Sequence, residues 1–387
     1  MPGRSLRHGP SLLESLRPRL GEMTDLLRAL VEHESPSRDK PALDALARKL
    51  ADRLAAIGGA VEVIANPDGG DHVSARFFGD GAGGRPTLVL GHFDTVWPAG
   101  TLAGMPFRVE GGRAFGPGVF DMKASLVLAE FAVDTMARLG LRPPGPVDLL
   151  LTSDEEVGSP TSRRIIEDRA IRSGSVLVLE PPLADGSLKT ARKGVGHFVM
   201  EIEGRPAHAG VEPEKGISAI QELAHQVLAL HELTDPRAGT TVNVGVVEGG
   251  TTSNVVAARA SARVDVRATT LDEADRIEAA IRRARPVHPE ARLTISGGFN
   301  RPPMERTIAV RALFSRAWRV GRSIGLDLGE GSTGGGSDGN FTAALGRPTL
   351  DGLGARGAGA HAAHEQVELD SLPERAALLS ALLMELE

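Results

Sequence analysis

The stretch TLVLGHFDTV, residues 87–96, decides the fold. Its apolar half reads as a strand buried on both faces, and His92 and Asp94 follow at the carboxyl end. The arrangement recurs in VDLLLTSDEEVGS, residues 147–159, and in VLVLEPP, residues 176–182. Between these runs, 123–139 and 161–172 carry helical spacing, so strand and helix alternate. Buried strands separated by helices indicate an α/β architecture, a mostly parallel sheet sandwiched by helices. Such sheets gather their ligands beyond the carboxyl ends of the strands.

Working outward, Ser11 and Glu14 form a capping-box pattern ahead of an amphipathic stretch to about Val31. A second helix is expected over 41–57, with Leu43, Leu46, Leu50, Leu54 and Ile57 on one face and Gly58 as its stop. After about Arg192 the pattern changes. Residues 197–203 alternate as a half-buried antiparallel strand does. A helix over 216–233, strands over 241–247 and 255–267, a Thr270/Glu273-capped helix to about Arg285 and a strand over 291–295 follow. That β-α-β-β-α-β order suits a ferredoxin-like split-βαβ sheet. Pro302 and Pro303 close it, and α/β signals resume with helices at 307–324 and 372–387 and a strand near 348–350. The expected organisation is a catalytic domain made of 1–192 and 303–387, with a lid domain, 193–302, inserted in it.

At 387 residues the chain exceeds one ordinary core. It has no cysteine, which excludes disulfides and thiolate ligands. A net charge of −6 gives no reason to expect nucleic-acid or acidic-membrane partners. No apolar run approaches the ~20 residues that span a bilayer, and the first twenty residues lack a signal-peptide h-region. A soluble cytoplasmic protein is the expectation.

The strand ends supply the chemistry. In Gly91-His92-Phe93-Asp94 a period of two puts both side chains on one face, so His92 can ligate a metal while Asp94 accepts its other ring N–H. Asp121 lies in a Gly-Pro-Gly turn before a helix, where N-capping and metal bridging are both open to it. Glu155 and Glu156, if extended, point opposite ways, one toward metal and one toward substrate. Glu180 follows an apolar strand, where a carboxylate needs a cation or donors. His361 and His364 share a Gly/Ala-rich loop, and one of them suits a ligand role. Two imidazoles and four carboxylates exceed what one tetrahedral zinc can use, so two ions sharing a carboxylate is the economical reading, with zinc, cobalt or manganese fitting N/O donors. Two-metal sites of this kind activate water for hydrolysis. Gly335-Gly336-Ser337-Asp338-Gly339 matches a serine nucleophile elbow in letters only, since no apolar strand precedes it.

Taken jointly, GHFDTV (91–96), GPGVFDMK (116–123), TSDEEVGS (152–159), the LEP step at 179–181, GRPAHAG (204–210), TGGGSDGN (333–340) and GAHAAHE (359–365) resemble a known family. It is the di-metal amidohydrolase family of carboxypeptidase G, acetylornithine deacetylase, succinyl-diaminopimelate desuccinylase and aminoacylase, and the likeness is greatest to glutamate carboxypeptidase-type members. It runs from about Met23 to the C-terminus. The resemblance implies a di-zinc exopeptidase-like fold with a lid that also dimerises, and a metal-dependent hydrolase that frees an amino acid from a small amide. It implies His92, Asp121 and Glu180 on one metal and Asp121, Glu156 and His361 on the other, with Asp94 behind His92 and Glu155 as general base. It further implies that His208 enters the partner subunit's active site, that Asn254, Arg267 and the loop Gly334, Gly335, Gly336 bind substrate, and that the bond after Asp121 is cis. One departure bears on specificity: Ser332 stands where the glutamate carboxypeptidase-type pattern has an arginine. Acetylornithine-type deacetylation is the alternative within the class. Outside it stand a non-catalytic binding protein, which would have no use for Glu155, and a serine hydrolase built on Ser337.

Overall fold

The computed structural model describes residues 4–79 and 83–386, with side chains from His8 onward. Contacts divide the chain into two compact units. One comprises the chain through Ala191, 306–333 and the part from Ser337 onward; the other comprises 192–305 and 334–336.

The first unit is built on a six-stranded sheet in the order Ala60–Ile64, His72–Phe77, Val147–Thr152, Thr87–His92, Ser175–Val178, Thr349–Leu350. The last four strands run parallel, and an antiparallel hairpin completes one edge. The chain leaves Thr87–His92 for one neighbour, Val147–Thr152, then crosses back to the other, Ser175–Val178. Loops at the carboxyl ends of these three strands therefore converge.

Both faces of the sheet are covered, which explains the unbroken apolar runs. Val89, Leu149, Leu151 and Leu177 belong to one core with residues of the helices Ala124–Arg138 and Ser371–Leu383, to which Arg4–Leu16 also contributes. Their alternates Leu88, Leu90, Leu150, Val176 and Val178 face Ile166 and Ala170 of Arg163–Arg172 and Phe341 of Gly339–Ala344. Each such side chain contributes about 1.5–3 kcal/mol on burial. Ala124–Arg138 is covered so fully that even its acids are buried: Glu130 takes a bidentate bond from Arg53, and Asp134 pairs with Arg19.

The second unit is a four-stranded antiparallel sheet in the order Thr241–Gly249, Arg259–Ala268, Gly194–Glu203, Arg292–Arg301. Helices Ala219–His231 and Leu271–Arg282 pack on one face through Leu223 and Ile277, against Phe198, Met200, Ile202 and Val264. From Gly196 onward the strand Gly194–Glu203 alternates buried and exposed residues, which leaves the opposite face to solvent.

Several boundaries differ from the sequence reading. The Ser11/Glu14 capping box does not form: the helix Arg4–Leu16 passes through Ser11, whose hydroxyl donates back to His8 O at 2.8 Å. Pro18 then sits in a short 3-10 turn before Leu20–Val31. The strand expected from Val255 begins at Arg259, because Val255, Val256 and Ala258 instead pair with His208, Ala207 and Gly204. The Thr270 cap does accept Glu273 N–H, but the Glu273 carboxylate turns to Thr240 and Arg276.

The Gly-Gly-Ser-Asp-Gly segment braces the sheet. Ser337 Oγ donates to Asp351 Oδ2 at 2.6 Å and accepts Gly339 N–H, while Asp338 receives the hydroxyls of Thr152 and Ser159. Ser337 is fully buried. Its proton is committed to Asp351, so it is a structural joint and not a nucleophile. Ser337→Ala should lower stability by about 1–3 kcal/mol, the cost of orphaning buried polar partners. The midpoint of chemical denaturation checks this, and an unshifted midpoint would contradict it.

Candidate metal centre

Five side chains from five separate segments of the first unit meet: His92, Asp121, Glu156, Glu180 and His361. Asp121 stands between two groups. Its Oδ1 lies 3.2 Å from His92 Nε2, and Glu180 Oε1 lies 3.6 Å from the same nitrogen. Its Oδ2 lies 3.4 Å from His361 Nε2, with Glu156 at 3.2 Å from that nitrogen. Within each triad the donor atoms all fall inside 4.8 Å of one another.

These separations test whether metal suits the residues. Ligands about 2.1 Å from a tetrahedral ion stand roughly 3.4 Å apart, by the bond lengths of zinc sites. Charge-assisted hydrogen bonds between the same groups would close to ~2.7–2.9 Å. The spacing of 3.2–3.6 Å fits shared coordination better than direct pairing.

Electrostatics agree. Burial opposes charge on His92, yet bonds with Asp121, Asp94 and Glu180 outweigh it and hold its pKa well above the ordinary value. Hydrogen bonds with Asp121 and Glu156 push His361 up to about 10. Burial, with the charge of Asp121 nearby, pushes Glu156 up to about 7. Asp121 is pulled down despite burial by His361 and His92. Carboxylates crowded in a dry site retain whatever positive charge they can reach, which is the demand a divalent ion satisfies.

Local structure explains how each group arrives. Gly118 adopts φ 69°, and a Cβ there would meet Thr95 Cγ2 at 2.5 Å, so only glycine turns the chain into Val119–Lys123. The Asp121–Met122 bond is cis, as the resemblance implied. Asp121 caps no helix; its side chain is given to the two imidazoles. His361 is a non-glycine residue at φ 61°, a conformation costing of order 1–3 kcal/mol and concentrated at functional sites. His364 joins neither triad.

Two details correct the sequence reading. The His92 Nδ1–H is accepted by the main-chain oxygen of Asp94 at 3.0 Å, with the carboxylate farther off at 3.4 Å. The Asp94 carboxylate instead accepts the N–H groups of Glu155 and Glu156, each at 3.2 Å, and the Ser37 hydroxyl at 2.7 Å. Glu155 and Glu156 do not lie on extended chain; they open a 3-10 turn, Glu155–Val157.

Glu365 closes the GAHAAHE motif. Fully buried, it accepts Phe120 N–H and Asp121 N–H on Oε1, and Gly118 N–H and Trp97 Nε1–H on Oε2, all at 2.9–3.0 Å. It thereby ties the His361 loop to the Asp121 turn. The signal available in the sequence was an acid four residues beyond a histidine in a glycine-rich loop.

The remaining expected residues lie in the second unit. His208 and Asn254 are on adjacent exposed segments joined by Ala209 N–H to Asn254 O at 3.0 Å. Arg267 spends Nε and Nη2 on Asp265, each at 2.8 Å, and Nη1 reaches Gly334 O at 3.3 Å. Gly335 O and Gly336 O accept from Arg192.

Comparison with known proteins bears on the whole chain. The sequence profile described as peptidase family M20/M25/M40 matches residues 88–385. Carboxypeptidase G2 of Pseudomonas sp. (strain RS-16) is 31% identical over 322 residues, 82% of this chain and 77% of that protein. Acetylornithine deacetylase of Shigella sonnei (strain Ss046) is 30% identical over 275 residues, 65% of this chain and 69% of that protein. Among solved structures, aminopeptidase PepT of Bacillus cereus has a TM-score of 0.80 at 22% identity, covering 95% of this chain and 98% of its own. The metallo-carboxypeptidase Sso-CP2 of Sulfolobus solfataricus has a TM-score of 0.71 at 18% identity, covering 94% and 98%. At those identities the structural likeness speaks for the fold.

Glu365 generates a prediction of its own. In Glu365→Gln an amide N–H₂ must face main-chain N–H groups that now meet an oxygen. Metal affinity should fall by about 10–100-fold, the usual effect of disturbing a ligand's support, while the fold persists. Competition with a fluorescent chelator measures this; unchanged affinity would refute the bracing role.

Proposed function

Because the chain belongs to peptidase family M20/M25/M40 and is a metal-dependent hydrolase of amide bonds, we propose that it frees an amino acid from an N-acyl amino acid or a short peptide bearing an α-carboxylate. The observation that carries this reading is Asp121 presenting one oxygen to each of two His–carboxylate triads. His92, Asp121 and Glu180 would hold one divalent ion; Asp121, Glu156 and His361 would hold the other. Zinc suits these donors, with cobalt and manganese as alternatives. When bound, such ions supply Lewis acidity and lower the pKa of water.

The chain's own residues do the rest. Asp94 fixes the Nδ1–H tautomer of His92 through its main-chain oxygen, leaving Nε2 free to ligate, and anchors the Glu155 and Glu156 amides through its carboxylate. Glu155 would take a proton from the attacking water and deliver it to the amine nitrogen as the C–N bond breaks. One water is consumed, and a carboxylic acid and an amine leave. Arg267 would meet the substrate carboxylate, with Asn254 and the Gly334–Gly336 backbone around it. Doing so means turning partly away from Asp265, and Ser332 offers no second cation. The relatives' names, a carboxypeptidase and a deacetylase of acetylornithine, support the amino-acid end of the substrate more than any one acyl group.

The second unit would serve as lid and dimerisation domain. Supporting this are its edge strand Thr241–Gly249, with Val246 and Val247 exposed, and the tendency of such edges to pair. An isologous two-fold contact is the commonest arrangement. His208 Nδ1 accepts Gly210 N–H at 3.1 Å, so Nε2 carries the ring proton. A donor of that kind could polarise a scissile carbonyl in the partner's site.

Protein loaded with zinc, cobalt or manganese should hydrolyse members of an N-acyl amino acid panel, bind close to two ions per chain and lose activity to a chelator. Glu155→Gln should keep its metal while kcat falls by about 10²–10⁴. Chelator-resistant turnover, or near-normal kcat in that variant, would overturn the assignment. For the dimer, inactive His208→Ala and Glu155→Gln chains, once mixed and exchanged, should recover part of the activity, because each mixed dimer holds one intact site. Demonstrated exchange without recovery would confine His208 to its own chain.

A further inference from the structure

Residues 154–162 lead from the strand Val147–Thr152 to the helix Arg163–Arg172, and the turn bearing Glu155 and Glu156 rides on them. Asp154 closes this loop on itself. Its main-chain oxygen accepts Ser159 N–H at 2.8 Å. Its Oδ2 accepts Thr161 N–H at 2.7 Å, Ser162 N–H at 3.1 Å and the Thr161 hydroxyl at 2.6 Å.

Thr161 Oγ1 has two more neighbours, from a different part of the chain: Asn66 Nδ2 at 2.9 Å and His72 Nε2 at 3.2 Å. A hydroxyl owns one proton and two lone pairs. The Asn66 amide is oriented by Asp68 N–H donating to its Oδ1 and by its own Nδ2 donating to Gly70 O, so Nδ2 faces Thr161 as a donor. His72 Nδ1 accepts Ser153 N–H at 3.2 Å, a donor whose direction the backbone fixes; the Ser153 hydroxyl, 3.1 Å from the same nitrogen, gives its own proton to Gly70 O, and burial disfavours the charged ring. The fixed Ser153 N–H leaves the ring proton to Nε2, which faces Thr161. The Asp154 carboxylate can only accept, so the Thr161 proton lies on the bond to Asp154.

We infer that Thr161 is a positioning residue for amide hydrolysis: its hydroxyl, oriented by Asn66 and His72, holds Asp154 and so aims the turn that carries Glu155 and Glu156. This rests on Glu155 being the base and Glu156 a ligand. Thr161 acts through Asp154 and not on the substrate, so its loss falls on kcat.

The test compares Thr161→Val, which keeps the shape and removes the hydroxyl, with Thr161→Ser, which restores the hydroxyl. On the best N-acyl amino acid found, Thr161→Val should lose about ten- to a hundredfold in kcat, the scale of a misplaced proton-transfer group. KM should stay within about threefold, and Thr161→Ser should return to within about threefold of wild-type kcat. Wild-type kcat in Thr161→Val, or equal impairment of Thr161→Ser and Thr161→Val, would overturn the inference. If Thr161→Val does not fold, His72→Leu carries the same test by removing one donor, and undiminished kcat there would overturn it. Failure of the underlying reading is visible separately, as a metal-loaded wild type that cleaves no member of the panel.

Discussion

Asp121 holds two imidazoles apart with its two oxygens, and the first unit is arranged around that single carboxylate. Glu156 and Glu180 crowd the same space, one beside each imidazole. Three carboxylates gathered in a largely buried site repel one another and hold charge on the two imidazoles, so Asp121 and Glu156 raise His361 while burial and Asp121 raise Glu156. Left to themselves such groups would splay toward water. They stay because His92, Glu156 and Glu180 stand at the carboxyl ends of neighbouring parallel strands, while the Asp121 and His361 segments extend from strands of one small antiparallel sheet, Arg113–Phe115 and Gly357–Ala358.

Their rigidity comes from a second set of acids that face no ligand position. Glu365 collects three main-chain N–H groups around Asp121 and the Trp97 indole; Asp94 collects those of Glu155 and Glu156; Asp338 takes the Thr152 and Ser159 hydroxyls. A buried carboxylate bonded to backbone amides is strong and directional, and it constrains backbone instead of side chain. The consequence is a division of labour. Acids on loops point at the centre, and acids beneath them hold the loops. Thr161 extends the scheme by one layer, linking the Glu155–Val157 turn to the hairpin edge of the sheet.

The second unit obeys different physics. Its sheet hides one face under two helices and leaves the other wet, so its strands alternate where those of the first unit do not. It has its own core and needs nothing from the first to explain its packing. Arg192 and Arg267 draw Gly334–Gly336 into it, which is why a segment far along the chain belongs to this unit and not to its sequence neighbours.

The amino-acid order alone determined the alternation of strand and helix, the change of period after Arg192 and which histidines and acids stand just past the strand ends. Each is a property of a short window: apolar runs bounded by glycine, or an acid just past a strand. What windows cannot contain is which donor meets which acceptor across the chain. Glu365 and Gly118 are 247 residues apart, and nothing near Glu365 shows that its carboxylate will meet three amides. The same holds for His72, Asn66 and Thr161, and for Asp94, whose main-chain oxygen takes the His92 ring N–H that a period-of-two argument gives to its side chain. The Ser11 cap failed for the related reason that packing of Arg4–Leu16 outweighs a local capping preference worth about 1 kcal/mol. Sequence set the chemistry of the site because chemistry resides in residue types. Only the tertiary structure set its geometry, because hydrogen bonds are directional and their partners are chosen by the fold.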